Sequence, residues 1–431
     1  MTVSLLSLPP ELHQLIATFL TTEVKNETLP HLPNLNALAQ TCSQLHQSVQ
    51  CMLFDVCRKY RVLGEHALGF AVRRDRPDLL DSLVCVGVSL AARLVFVRPV
   101  YEPLHLAAWL RHPDVVEKLL ELYAEDAPFF AYTRIENKTP LDYAACARAM
   151  DIVPLLADIQ PSLQHNSDGA SSRYCYINRA LCWAATDDRT QVLSFLLERY
   201  PAEVDPNFFF NAGADEDDWT PTALFAACNG PFENLGVVRQ LLAAGANPNI
   251  FMPNHIPLLA AARGNHIDII EALLEAGADI HVRDDRLCGG IHHALYYGMN
   301  VSQSRTLRLL LERGADPNRA DADSVTPMHL ACAWKYDPGD AKWAVGLLLE
   351  FGGAPSVNHV SGAGQTPVDV ARSCSGSGLR QWSELVEELL LPHITDEKKR
   401  QETIDWLRSR RVKNPTELDV ATRFTTALWD P

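Results

Sequence analysis

The stretch that most constrains this fold runs from His255 to His281, HIPLLAAARGNHIDIIEALLEAGADIH, where two short helices and the breaks after each are all marked. Pro257 suits the first turn of a helix, where its missing N–H costs nothing, and Leu258, Ala261 and Ala262 supply one apolar stripe. The alanine pair lets a neighbouring backbone approach closely. Gly264-Asn265 breaks that helix, and Ile267, Ile269, Ile270, Leu273 and Leu274 set a second one with apolar residues at i, i+3, i+4 and i+7. Gly277 is placed to take the left-handed conformation that closes a helix C-terminus. Two short helices packed together leave one apolar face open, so such a unit needs neighbours on either side.

The neighbours are written along the chain. The opening of the first helix recurs as EPLHLAAW from Glu102, TPLDYAAC from Thr139, TALFAACNG from Thr222, TPMHLACAW from Thr326 and TPVDVA from Thr366. The close of the second recurs as LLAAGANPN from Leu241, LLERGADPN from Leu310 and LLEFGGAPSVN from Leu348. Pro103 to Pro140 is 37 residues, Pro221 to Pro257 is 36 and Pro327 to Pro367 is 40. With these periods and the T-P-L-H-x-A opening, the chain resembles the ankyrin-repeat family over residues 65–391. The resemblance implies an all-α solenoid of about nine repeats, several of them degenerate. Repeat one, Glu65 to Leu90, lacks the opening motif; Pro154 falls where the second helix of repeat three should run, so that helix is expected to be short or kinked; an enlarged turn follows Tyr123. Insertions are expected at Ser162–Ser172, Met299–Ser304 and Asp337–Asp340, and repeat nine carries SCSGSG before an amphipathic segment, Trp382 to Leu391.

Residues 1–60 carry no such repeat. Leu8-Pro9-Pro10-Glu11 suits a helix start, with Leu12, Leu15, Ile16, Phe19 and Leu20 as its stripe. A polar segment with prolines, Thr21 to Pro33, precedes a second helical pattern of Leu35, Leu38, Cys42, Leu45, Val49, Leu53 and Phe54. This stretch resembles an F-box, which implies a three-helix module docking on the Skp-family adaptor of cullin-RING ubiquitin ligases. The docking anchors it implies are Leu8, Pro9, Leu12, Ile16, Leu20, Leu38, Leu45 and Phe54. The Thr21 to Pro33 connection is longer than the usual F-box one. The competing reading is a helical cap that shields the first repeat from water. Residues 392–431 are charged and hold one short helix, Glu402 to Arg410, expected to cap the array.

A formal charge of −15 argues against nucleic acid or an anionic membrane as the main ligand, because binding phosphates needs clustered Lys and Arg. The first ten residues carry no basic side chain and no apolar run reaches about 18 residues, so a cytoplasmic or nuclear location is expected. The eleven cysteines are scattered and read as reduced, small core residues. His281, Cys288, His292 and His293 form the densest cluster of metal-binding residue types, but adjacent histidines on a helix point apart, and no tetrahedral spacing results. No phosphate loop, dinucleotide fingerprint, nucleophile elbow or calcium loop is present, and the acidic run Asp215 to Asp218 reads as a solvated tip. Neither catalysis, metal nor cofactor is expected. His105 and His329 lie in the T-P-L-H slot, where the resemblance implies an imidazole that orders the turn.

The resemblance also implies that partners bind a concave face lined by the ends of the first helices. Carried over by register, that face holds Arg73, Arg74, Trp109, Leu110, Arg263, Tyr296, Tyr297 and Trp334. Aromatic and arginine side chains dominate the energetics of protein interfaces. The expected function is a monomeric adaptor, the substrate-recognition subunit of an SCF-type ubiquitin ligase, with an unidentified target protein on the concave face. The alternative is a ligase-independent scaffold whose N-terminal helices only cap the array.

Overall fold

The computed structural model describes residues 21–24, 27–30, 57–58, 61–91, 94, 101–135, 138–159, 173–186, 190–211, 219–230, 234–250, 252, 255–296, 301–333, 338–373 and 379–411. The anchors Leu8, Pro9, Leu12, Ile16, Leu20, Leu38, Leu45 and Phe54 lie outside these described residues, as do Tyr297, Trp334, Ser162–Ser172 and Asp215–Asp218. The chain divides into two units: residues 1–184 with 198–204 and 210–219, and residues 185–197 and 205–209 with 220–431. The division passes through two helices, α8 (Arg173–Thr186) and α9 (Thr190–Arg199).

The first unit stacks the helix pairs α1 (Arg61–Arg73) and α2 (Pro77–Cys85), α3 (Pro103–Leu110) and α4 (Pro113–Tyr123), and α6 (Pro140–Ala147) and α7 (Val153–Ala157). Prolines open most of these helices, as their fixed φ and missing donor allow. Helix α7 has only five residues, as Pro154 predicts. The first helices stack closely because Ala71, Ala107, Ala108, Ala144 and Ala145 are fully buried between them. Val115, Val116, Leu119, Val153 and Leu156 close the core from the second helices. Three expectations need correction. Helix α1 begins four residues before Glu65, with Leu68 fully buried in the core. The enlarged turn after Tyr123 contains a further helix, α5 (Ala127–Tyr132). Within the polar Thr21 to Pro33 segment, β1 (Thr21–Val24) pairs antiparallel with β2 (Glu27–Pro30), Thr21 opposite Pro30, and two-residue strands at Phe210–Asn211 and Trp219–Thr220 interrupt the otherwise helical repeats.

The second unit continues with α10 (Ala223–Asn229) and α11 (Leu235–Ala243), α12 (Pro257–Gly264) and α13 (Ile267–Glu275), α14 (Gly290–Tyr296) and α15 (Val301–Glu312), and α16 (Pro327–Cys332) and α17 (Pro338–Glu350). It ends in α18 (Pro367–Ser373), α19 (Leu379–Leu385) with a π turn over Val386–Leu390, and α20 (Glu397–Arg411). Val301–Ser304 and Pro338–Asp340, expected as insertions, are the opening turns of second helices. Helix α20 starts five residues earlier than expected at Glu402. First helices pack on first helices and second on second, with Ala227, Ala261, Ala331 and Ala371 fully buried.

Asparagines in several of the loops after the second helices tie one repeat to the next. An amide offers a donor and an acceptor from one planar group, so it can grip a neighbouring loop twice. Asn249 donates through Nδ2 to the Gly277 carbonyl at 2.8 Å, and its Oδ1 accepts from the Asp279 N–H at 2.8 Å. Asn318 does the same to Gly352 (2.9 Å) and Ser356 (3.2 Å), and Asn358 to His393 (2.8 Å) and Thr395 (2.9 Å). The last pair joins the loop before α20 to the repeat stack. Asn358→Ala should therefore cost about 1 kcal/mol locally. Amide exchange within Glu397–Arg411 should then rise about fivefold, with the α12 and α13 amides unchanged. Equal protection of α20 in both proteins would refute this coupling.

Candidate functional site

The ends of the first helices place the candidate residues. In the first unit α3 and α6 share one register: each ends in an arginine at positive φ, Arg111 at 63° and Arg148 at 58°. The next N–H in each case closes onto the first alanine carbonyl, His112 to Ala107 at 3.1 Å and Ala149 to Ala144 at 3.0 Å. That geometry turns Trp109 out of the core, leaving it 45% exposed, while Leu110 is half-buried and Arg73 and Arg74 are exposed.

Trp109 is part of an aromatic cluster. Its ring stands edge-on to Tyr143 at 5.9 Å, and Tyr143 meets Tyr101 (5.6 Å) and His105 (5.8 Å) in the same way. The Lys138 ammonium lies 4.0 Å over the Trp183 ring and 5.7 Å from that of Tyr143. Sequence reasoning did not select Tyr143, Trp183 or Lys138. Tyr143 and Trp183 occupy the variable position of T-P-L-H-x-A, three residues before the row carried over by register.

In the second unit Arg263 is half-buried and hydrogen-bonds the Asn229 side chain, and Tyr296 is 59% exposed at the end of α14. In the first unit Trp109 and Leu110 thus lie on α3 and Arg73 and Arg74 at the end of α1, which packs on α3; in the second Arg263 lies on α12 and Tyr296 on α14, which pack together. A further exposed residue is Leu287, 45% exposed at φ 59° in the turn before α14. The equivalent turns use Ser324 and Gly364, and a leucine there carries strain that glycine avoids. Only the backbone conformation reveals it, so no sequence signal pointed to Leu287.

The histidines are turn braces. His105 Nε2–H donates to the Thr133 carbonyl at 3.1 Å and His329 Nε2–H to that of Gln365 at 3.0 Å, each reaching the turn of the following repeat. His329 Nδ1 accepts from the Thr326 N–H at 3.2 Å, completing a capping box. His292 occupies the same slot, accepting from the Gly289 N–H and donating to the Val325 carbonyl at 3.2 Å; Gly289-Gly290 in place of Thr-Pro had hidden it. His293 donates instead to Asp284 at 2.9 Å, so the adjacent pair points apart. Among the described residues no group of three or more His, Cys, Asp or Glu is placed to hold a metal ion.

Burial pushes the His105 imidazole down to about 4, only partly opposed by the carbonyls around it. The unfolded chain therefore binds a proton that the folded one refuses between about pH 6.5 and 4. Stability contributed by neutral His105 is complete above that window and is lost as pH falls through it, by roughly 1 kcal/mol per pH unit. Urea unfolding of wild type and His105→Gln across pH 4 to 7 should show the smaller slope in the variant; parallel slopes would refute the assignment.

Residues 181–284 match the family model for ankyrin repeats, in three copies. These are ankyrin repeats. The chain is similar to the E3 ubiquitin-protein ligase KEG of Arabidopsis thaliana, 25% identical over 357 residues, covering 81% of this chain and 20% of the relative. It is similar to the ankyrin repeat and KH domain-containing protein mask-1 of Caenorhabditis elegans, 31% identical over 238 residues, 52% of this chain and 8% of the relative. A third relative is the ankyrin repeat and SOCS box protein 16 of Mus musculus, 34% identical over 128 residues, 28% of this chain and 25% of the relative. The chain thus spans a quarter or less of each of these proteins. Ankyrin repeats are protein-interaction modules, and among the described residues no helix is long and apolar enough to cross a membrane.

Proposed function

We propose that this chain is the substrate-recognition subunit of a cullin-RING ubiquitin ligase. Residues 1–60 dock on a Skp-family adaptor through Leu8, Pro9, Leu12, Ile16, Leu20, Leu38, Leu45 and Phe54. The concave face of the ankyrin repeats, with Trp109, Leu110, Arg73, Arg74, Arg263 and Tyr296 and with Tyr297 and Trp334 by register, captures a target protein. The polypeptide itself makes and breaks no bond. The observation that carries the reading is the L-P-x-E-L opening followed by the Leu-rich helical pattern, placed directly before a repeat array with exposed Trp and Tyr at its first-helix ends. The printed name of the Arabidopsis relative, a ubiquitin ligase, supports it. A ligase-independent scaffold is the second reading, favoured by the family match, which covers residues 181–284 and not the N-terminus.

The test is a pull-down of purified chain with a Skp-family adaptor, wild type against Leu8→Asp with Leu12→Asp, with circular dichroism on both. Adaptor binding by wild type, lost in a variant that keeps its helicity, is the expected result. A folded wild type that binds no adaptor leaves the scaffold.

A further inference from the structure

We infer that the far end of the array, between α18 and α20, takes a tight turn from a partner protein, seated as this chain seats its own turns between repeats. The turns before α14, α16 and α18 share one build: the N–H groups of Asp284, Asp321 and Ser361 each donate to the carbonyl four residues on, Cys288 at 3.0 Å, Val325 at 2.9 Å and Gln365 at 2.9 Å. Each turn then hangs from the one before it. The Ala322 N–H donates to the Arg286 carbonyl at 2.8 Å and the Gly362 N–H to the Asp323 carbonyl at 2.7 Å. Ala363 stands at the same point of the third turn, two residues after its opening residue, and is exposed. Among the described residues no backbone N–H donates to its carbonyl.

At this point the chain leaves a turn out. Asn249 holds Gly277 and Asp279, and residues 280–289 intervene before α14; Asn318 holds Gly352 and Ser356, and residues 357–366 intervene before α18. Asn358 holds His393 and Thr395, and Asp396 alone separates these from α20. The missing turn leaves space. Ile280, Ile291 and Ala315 line a gap of about 20 Å³, closed by Asp316 and Arg319 at the base of the next turn. Their counterparts Val357, Val368 and Ile394 line a cavity of about 170 Å³. An apolar-walled cavity of about 150 Å³ already admits a benzene-sized group. The polar wall follows the same plan. His292 and His329 each donate to a carbonyl of the next turn, whereas Asp369 in that slot accepts from Lys399 Nζ at 3.2 Å, which puts an ammonium where the ring donor stands elsewhere. An ammonium carries three donors, so Lys399 keeps Asp369 and still has N–H groups for the carbonyl of a guest turn. A second copy of the chain offers no such turn from within its array, where the turn before α16 is bonded on both sides. The site needs neither the Skp-family adaptor nor the concave-face residues.

The test is fluorescence anisotropy of the full chain with a labelled cyclic peptide copying residues 319–326, Arg-Ala-Asp-Ala-Asp-Ser-Val-Thr. Cyclisation holds the turn and removes the cost of ordering it. The expected result is saturable binding, weakened about tenfold by N-methylation at the alanine that copies Ala322, since one hydrogen bond is lost and its acceptor left unmet. Val360→Trp should also weaken it about tenfold by crowding the mouth of the cavity. Val360 is 52% exposed, so the variant should unfold in urea with wild type, which separates lost binding from lost fold. Absence of saturable binding, binding that neither change weakens, or equal binding of a cyclic peptide with the same residues shuffled overturns the proposal. So does dimerisation of wild type that Val360→Trp abolishes, which would put a second copy in the site.

Discussion

Arg179→Met should destabilise the first unit by about 3–5 kcal/mol, the usual consequence of leaving a buried charge without its partner. Arg179 Nε lies 3.7 Å from Asp142 Oδ2, and both side chains are buried. Asp142 occupies the slot that holds histidine in three other repeats, at the third position of α6, where it closes a capping box with Thr139 at 2.8 and 3.2 Å. Replacing an imidazole by a carboxyl puts a charge into the core, and desolvation raises the Asp142 pKa while the Arg179 guanidinium opposes that rise. The sign follows. A carboxyl whose folded pKa lies above its ordinary 3.8 is bound to its proton more tightly in the folded chain, so stability declines as pH rises from there through the folded value. Without Arg179 that decline should extend to higher pH. Urea titrations from pH 4 to 8 on wild type, Arg179→Met, Asp142→Asn and the double variant give the check. The double variant should lose clearly less than the sum of the singles, because neither charge is then left alone. A loss below about 1 kcal/mol in Arg179→Met would show that the pair does not bear on stability.

Trp382→Ala should cost a further core's worth, about 3–5 kcal/mol, concentrated at the C-terminal end. Trp382 is 1% exposed on α19, which packs on α17, on the π turn and on α20. Stability in stacked repeats is close to a sum of each repeat and its nearest interfaces, so the damage should stay local. Native-state hydrogen exchange should show residues 379–411 opening at lower free energy while the α12 and α13 amides keep their protection. Uniform loss across the second unit would mean that the unit opens as one cooperative body.

The repeats were legible because each needs the same local solution. Pro257 at a helix start, Ala261-Ala262 at the close approach and Gly277 at φ 88° after the second helix act within a few residues, so their spacing states the structure. The candidate site was legible only by row. Trp109 and Tyr296 were expected there because an aromatic in a solvent-facing row stands out, and both are exposed. Tyr143, Trp183 and Lys138 were missed because their meeting joins residues from separate repeats, and nothing in any one repeat announces it.

By itself the sequence determined the helix pairs, their order and their closing turns, along with the buried alanine seams, since these follow from φ preferences and apolar spacing over a few residues. Only the tertiary structure decided which asparagine grips which loop, that His292 braces a turn without its Thr-Pro, that Asp142 faces Arg179, and that Arg111, Arg148 and Leu287 hold left-handed backbone. Those depend on where one repeat sets its neighbour, to within the roughly 3 Å over which hydrogen bonds act, and periodicity carries no record at that scale.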